Sequence, residues 1–362
     1  MLNLKKYGYK QLNIETLGNC NMNCQFCNWN ARKDKETVMP ENIVYRLVDE
    51  AGSLNSGCES INFSQFNEPL LDKRIFDFIS YTKKKQIFVK LTSNCLLLGN
   101  RRVLNGMINH HPDQLFLSVQ TLDKKKFSEV RGTNMSHKKY KEIIFRLLSN
   151  LKFKNCKITM DMACNFLNHK KKLIRNILGF NTGDESVPLS LDMIKDDLID
   201  FLMDLQDYDK HFKFKKNEFE EFFESLSSDY RSQACYNITE NIDIKIKRFM
   251  YGKRLVEFEP TNTPFSCKHP TIAVMATGHV VPCCHMSAPY STLGSVKLES
   301  LGEILERSKK YIKNLRDVNL DKPLVCKRCF GEKTKRAVKL LSIREKIAPN
   351  IRFNVLSYAD KK

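Results

Sequence analysis

The sequence predicts an α/β protein: a partial (βα)6 barrel of TIM-like type joined to a small C-terminal cysteine-rich module of β-hairpin and helix. Three observations predict it. Short β-rich runs alternate with helical ones from residue 9 to about residue 195, polar residues stand at the ends of the β runs, and cysteines gather near residue 20 and again after residue 267. Strand and helix alternating this regularly imply right-handed crossovers and a parallel sheet. In such barrels the working residues collect at the C-terminal strand ends.

Taken in order, "YKQLNIET" reads as a first strand leading into a cysteine loop, and "ENIVYRLVDEAG" as a helix ending at Gly52. "SINFSQF" is a strand before helix "DKRIFDFISYTKKK", and "IFVKLTSN" a third before "RRVLNGMINHH". "QLFLSVQT" is the fourth, followed after an irregular stretch by helix "KKYKEIIFRLLSNLKF". "KITMDMACN" is the fifth, followed by "HKKKLIRNILGF", and "VPLSLDMI" is expected as the sixth. Residues 196–255 turn helical and charged and read as a last barrel helix plus an insertion. The expected division is therefore a barrel over 1–259, a cysteine-rich module over 260–335, and an amphipathic helical tail over 336–362.

Composition narrows the class. Hydrophobic residues make up 42%, with 14 Gly and 11 Pro, as in a chain folded throughout. The N-terminus has no apolar signal core and no run approaches the roughly 18 apolar residues of a membrane span, so a cytoplasmic protein without membrane partners is expected. In a reducing compartment the 13 cysteines serve as metal ligands or buried thiols rather than disulfides. The net charge of +19, from 60 Lys and Arg against 41 Asp and Glu, reads as solvated lysine-rich faces. Attraction to an acidic partner such as RNA is the second reading.

The stretch "GNCNMNCQFCNW" sets Cys20, Cys24 and Cys27 on one loop. Four thiolates close a metal site, whereas three leave one iron of a [4Fe–4S] cube free for an outside ligand. Phe26, just before the last thiol, is placed to pack against a planar ligand. "CNMNCQFC" resembles the CxxxCxxC motif of the radical S-adenosylmethionine (radical SAM) enzymes, placed after the first strand as in that family. On that resemblance, Glu68 of "FSQFNEP" stands for the glutamate that binds the cofactor's amino group, with Phe66 and Asn67 where the family has glycines. Asn94 of "LTSNC" matches a third-strand asparagine, with Cys95 in the glycine place. Ser118 and Gln120 of "LSVQT" are candidates near the ribose, and Arg131 of "EVRGT" for the cofactor carboxylate.

Towards the C-terminus, "IAVMATGHVVPCC" suggests a hairpin turning at Gly278, and "SLGEILERSKKYIKNLR" a helix. Cys267, Cys283, Cys326 and Cys329 surround these elements. By spacing alone they suit zinc or iron–sulfur equally. Beside a radical SAM core they resemble the shorter, twitch form of the SPASM domain, which implies one auxiliary [4Fe–4S] cluster on those four residues. Cys95 and Cys164, at strand ends, are candidates to donate a hydrogen atom to a substrate radical.

The resemblance implies reductive cleavage of S-adenosylmethionine to a 5′-deoxyadenosyl radical, hydrogen abstraction from substrate, and an electron donor such as flavodoxin or ferredoxin. A fully ligated auxiliary cluster implies net oxidation. Relatives acting on ribosomal peptides carry an extra recognition domain, and 19 residues precede Cys20. That favours a small polar molecule such as a sugar or aminocyclitol, with a peptide side chain next. The rival readings are an RNA-modifying radical SAM enzyme and a non-catalytic iron–sulfur scaffold.

Overall fold

The structure of the chain is a computed structural model, and it describes residues 2–24, 27–53, 55–152, 154–164, 191–226, 233–248, 266–267, 269–283 and 292–329. Its centre is a single ten-stranded sheet with strand order β10-β9-β8-β1-β2-β3-β4-β5-β7-β6. The strands are β1 (Gln11–Ile14), β2 (Ser60–Asn62), β3 (Phe88–Ser93), β4 (Gln114–Gln120), β5 (Lys157–Cys164), β6 (Gln233–Asn237), β7 (Ile242–Arg248), β8 (Thr271–Val274), β9 (His279–Val281) and β10 (Gly294–Ser295). From β8 through β1 to β5 and on to β7 every neighbour is parallel. The outer strands β6, β9 and β10 pair antiparallel. The sheet does not close among the described residues, as expected of a partial barrel.

Helices α1 (Glu41–Ala51), α2 (Ile75–Lys84), α3 (Arg101–Asn109), α4 (Phe127–Arg131) and α5 (His137–Leu151) fill the crossovers. Their apolar stripes meet the helix-facing residues of the strands. In α1, for example, Ile43, Val44, Leu47, Val48 and Ala51 are buried, a spacing of three to four residues. Period-two alternation turns Leu12, Ile61, Leu91, Leu117, Met160 and Ile244 into the same core, each with no exposed surface. The opposite, concave face is polar: Asn13 registers with Asn62, Asn62 with Lys90 and Lys90 with Gln114. One step further up, Thr92, Phe116, Thr159 and Asp243 lie level.

Several sequence expectations need correction. The sixth strand is not 187–194. Residues 187–190 lie outside the described residues, and Leu191–Tyr208 is helix α6. The stretch 196–255 is helical only as far as α7 (Lys216–Ser225), after which Gln233–Asn237 and Ile242–Arg248 form a hairpin. Its second strand completes the parallel set: Ile242, Ile244 and Ile246 face the core between Asp243 and Lys245, so charge conceals a period-two pattern. The single expected helix after residue 300 is two, α8 (Leu301–Arg307) and α9 (Lys309–Arg316), the first opened by a Ser300–Glu303 capping box. The last described helix is α10 (Leu324–Cys329). The hairpin at Gly278 is as expected, with φ +88° at the turn. Helix 169–180, the boundary at 259/260 and the tail 336–362 lie outside the described residues.

Candidate active site

β1 delivers the chain directly into the cysteine loop. The Gly18 amide donates to the Thr37 carbonyl at 2.8 Å, and a Cβ on Gly18 would stand 2.5 Å from the Asp34 carbonyl oxygen, so the crossing demands glycine. The loop is then held by its own backbone. The Cys27 amide donates to the Cys24 carbonyl at 3.1 Å, the Asn30 side-chain amide to the same carbonyl at 2.9 Å, and the Trp29 indole to the Gly18 carbonyl at 2.9 Å. From outside, the Asn23 amide donates to the Gly132 carbonyl at 3.1 Å. A Cβ on Gly132, at φ +57°, would stand 2.2 Å from the Asn23 carbonyl oxygen.

This scaffold leaves the sulfurs lightly engaged. The Trp29 amide donates to Cys27 Sγ at 3.4 Å, Asn94 Nδ2 to Cys20 Sγ at 3.7 Å, and Cys24 Sγ donates to the Arg131 carbonyl at 3.4 Å. Burial pushes the Cys20 thiol up to about 12, with Glu68, Cys24 and Cys27 adding to the rise, and pushes Cys27 up to about 11. The three thiols are thus close enough to act on one another.

Glu68 follows β2 and is 1% exposed. Its Oε1 accepts from the Ser93 hydroxyl at 2.8 Å and the Leu70 amide at 3.2 Å, and its Oε2 from the Asn94 amide at 2.7 Å. Burial pushes its carboxyl up to about 7 against the pull of these donors. Asn94 also donates to Asn21 Oδ1 at 2.7 Å, so Glu68, Asn94 and the cysteine loop form one connected patch. Gln120, at φ +66° beyond a β-bulge, donates to the Ser118 hydroxyl at 3.0 Å.

Arg131, expected from the sequence as a carboxylate partner, is the most exacting feature of this patch. Its side chain is 1% exposed, yet Nε and Nη2 have no partner among the described residues. Burial works against its charge, while Cys24, Tyr140, Cys95 and Cys20 favour it. A buried guanidinium without an anion is costly, so the position calls for one.

Three of the expected residues are enclosed or lie outside the described residues. Cys95 has no exposed surface and belongs to the main core, its thiol 3.6 Å from the Ser93 carbonyl oxygen. The thiol is thus enclosed in the structure, whereas the expected role as a hydrogen donor calls for access to a substrate. At φ +70° it occupies the left-handed conformation that the family's glycine adopts freely. Cys164 ends β5, but its side chain, like Phe26, lies outside the described residues.

The second cysteine group sits beside β8 and β9. Cys283 and Cys326 share a small apolar cluster with Ala273, Met275, Val281, Leu315, Phe66 and Tyr311. The Cys267 amide donates to the Leu315 carbonyl at 3.1 Å. Tyr9, 1% exposed, donates to the Pro282 carbonyl at 3.1 Å; burial raises its pKa, Arg316 works against that, and Cys283 and Cys267 add to it. Three thiols therefore share one neighbourhood. Cys329 is in the same helix as Cys326, its side chain outside the described residues.

Sequence reasoning missed Glu15 and Arg32, which are 0% and 9% exposed. Arg32 Nη1 and Nη2 pair with the two Glu15 oxygens, and Arg32 Nε donates to Asp34 at 2.9 Å. Burial alone would lower the Arg32 pKa, but Asp34 and Glu15 raise it. No spacing rule links residues 15 and 32, so only the folded chain shows the pair.

Both cysteine groups suit iron–sulfur clusters. Among the described residues no three His, Cys, Asp or Glu side chains close to the spacing that one metal ion needs. A cubane asks instead for thiolates on separate irons, and Cys20, Cys24 and Cys27 stand on one short loop, with Arg131 Nε and Nη2 unpartnered among the described residues.

An unclosed parallel barrel with a three-thiol loop after its first strand, and a second thiol group on a C-terminal hairpin, defines an iron–sulfur protein of the radical-generating class. Comparison with known proteins agrees. The Radical SAM superfamily model matches residues 14–175 and an iron–sulfur cluster-binding domain model, SPASM, matches residues 267–330. A probable GTP 3′,8-cyclase from Pyrococcus horikoshii is 27% identical over 127 residues, 34% of this chain. The match spans 38% of that relative's length. Among solved structures, Streptococcus suis SuiB bound to S-adenosylmethionine superposes with a TM-score of 0.52 at 16% identity, covering 92% of this chain and 72% of that one. SuiB bound to its precursor peptide SuiA gives 0.51 at 15%, covering 92% and 71%. Residues 14–175 thus form a Radical SAM domain and residues 267–330 a SPASM-type domain. The chain's cofactors are S-adenosylmethionine and [4Fe–4S] clusters.

Proposed function

We propose that this radical SAM enzyme carries out a net oxidation of a polar substrate, with Cys20, Cys24 and Cys27 holding the cluster that binds S-adenosylmethionine and Cys267, Cys283, Cys326 and Cys329 holding an auxiliary one. The observation that carries the reading is Arg131, buried with Nε and Nη2 unpartnered among the described residues and close to Cys20, Cys24 and Glu68. When bound, the cofactors supply a carbon radical able to take hydrogen from an unactivated C–H bond.

The protein's own residues orient and enclose. Arg131 pairs with the cofactor carboxylate, a charge-assisted contact that replaces its missing partner. Glu68, held by Ser93 and Asn94, takes the cofactor's amino group. Asn94 spans the loop and β3, while Ser118 and Gln120, already bonded to each other, face the ribose. Cys267, Cys283, Cys326 and Cys329 would hold the auxiliary cluster, which would supply a one-electron acceptor close to the substrate, and a flavodoxin or ferredoxin would serve as the electron donor to the first cluster.

The substrate class follows from the concave face, whose Asn13, Asn62, Thr92, Thr159, Asp161 and Asp243 offer hydrogen bonds and charge. This favours a small polar molecule. A peptide side chain is the second reading, because the structurally similar SuiB was solved with its precursor peptide.

Anaerobic reconstitution tests the proposal. Wild type should hold about eight irons per chain, and a Cys20→Ala/Cys24→Ala/Cys27→Ala variant about four. Reduction with S-adenosylmethionine should release 5′-deoxyadenosine from wild type alone. About four irons plus zinc in the wild type would sink the auxiliary-cluster assignment, and no 5′-deoxyadenosine from fully loaded protein would sink the reaction.

A further inference from the structure

At Glu15 three segments from both cysteine sites meet. Each of its oxygens takes an Arg32 guanidinium nitrogen. Oε1 also accepts from the Phe66 amide at 3.2 Å, and Oε2 from the Ala276 amide at 3.0 Å. Arg32 lies just past the short 3₁₀ turn, Asn28–Ala31, that Cys27 caps. Phe66 stands two residues before Glu68, and its ring packs into the cluster that holds Cys326 and Cys283. Ala276 is in the β8–β9 turn, and the Glu15 amide itself donates to the Val274 carbonyl at 2.9 Å.

A carboxylate so enclosed has its lone-pair directions taken by four donors. An apolar pair of equal volume would stabilise the fold as well or better. It could not draw two backbone amides from separate segments to one place, because only a buried anion offers each of them a charge-assisted bond. We propose that the Glu15–Arg32 pair is a positioning element that sets the open cysteine loop against the C-terminal hairpin and so fixes the mutual geometry of the two clusters. Each residue acts through the segments it holds. The inference rests on the reading of the seven cysteines as ligands of two clusters.

The test uses reconstituted protein with Glu15→Gln, Arg32→Lys and Asp34→Asn, read by iron content, backbone amide exchange and electron paramagnetic resonance of the reduced clusters. Glu15→Gln should keep about eight irons while exchange at 27–37, 64–68 and 274–280 rises together by about tenfold or more, and the magnetic interaction between the clusters should change. Arg32→Lys, which keeps the charge but not the fork, should do the same to a smaller degree and serves if Glu15→Gln does not fold. Asp34→Asn should affect only 30–37. Faster exchange confined to 27–37, an even rise that includes helix 75–84, or an unchanged cluster interaction would each overturn the proposal. Too little iron in the wild type would instead overturn the cluster reading beneath it.

Discussion

The two cysteine sites are built in opposite ways. The first draws all its thiols from Cys20 to Cys27 and is braced mostly by bonds within 18–30. The second draws on Cys267, Cys283 and Cys326, which meet only when β8, β9 and the last helices dock. Their arginines differ as well. Arg131 keeps two nitrogens unpartnered in the interior, whereas Arg316 donates to the His269 carbonyl at 3.0 Å and lies 4.7 Å over the Tyr9 ring. Among the described residues one arginine is left without an ion partner and the other is satisfied by its own chain.

The largest expected effect comes from breaking the sites one at a time. Cys24→Ala and Cys326→Ala should each remove about four irons. Only the first should abolish 5′-deoxyadenosine formation, as measured after chemical reduction. If Cys326→Ala abolished it equally, the sites would not be separate in function.

Next come the arginines. Arg131→Met should weaken S-adenosylmethionine binding by about 10–100-fold in calorimetry, since charged hydrogen bonds contribute about 1.5–3 kcal/mol. The unliganded protein should melt no lower, because an unpaired buried charge is removed. Arg316→Met should do the reverse, lowering the melting temperature and sparing cofactor binding.

The glycines sharpen the comparison at smaller scale. Gly278→Ala meets only the flexible Lys297 side chain besides its positive φ, and should cost about 1–2 kcal/mol in denaturant titration. Gly132→Ala meets the Asn23 backbone and should cost more, since neither chain can give way. Equal costs would mean that the first loop is not braced by α4.

Smallest is a control remote from both sites. Burial first, then Asp123, Asp200 and Asp196, push Asp197 up to about 7. A carboxyl whose folded pKa is raised binds more protons in the native state, so its ionisation lowers stability as pH rises from about 4 to 7. Asp197→Asn should therefore raise the melting temperature by about 1–2 °C at pH 8, with no gain at pH 4, and should leave both iron sites untouched.

Much of this was legible in the chain. Alternating periods of 2 and 3.6 place β1 to β5 and their helices, and the spacing of Cys20, Cys24 and Cys27 marks the first candidate site because these residues are neighbours in sequence. β7 was hidden because Asp243, Lys245 and Lys247 alternate with its isoleucines and lend it the look of a charged helix. The burial of Cys95 was not legible because a strand-end position does not reveal which way a residue at φ +70° turns its side chain.

The sequence by itself determined the periodicities, the local thiol loop and the cofactor class, all of which depend on residues close together along the chain. Tertiary structure alone decided that Arg131 is buried without an anion, that the C-terminal hairpin extends the barrel sheet beside β1, and that Glu15 binds Arg32, Phe66 and Ala276 at one point. Burial and partner choice across tens to hundreds of residues carry no local signature, because they are set by which surfaces exclude water once the whole chain has packed.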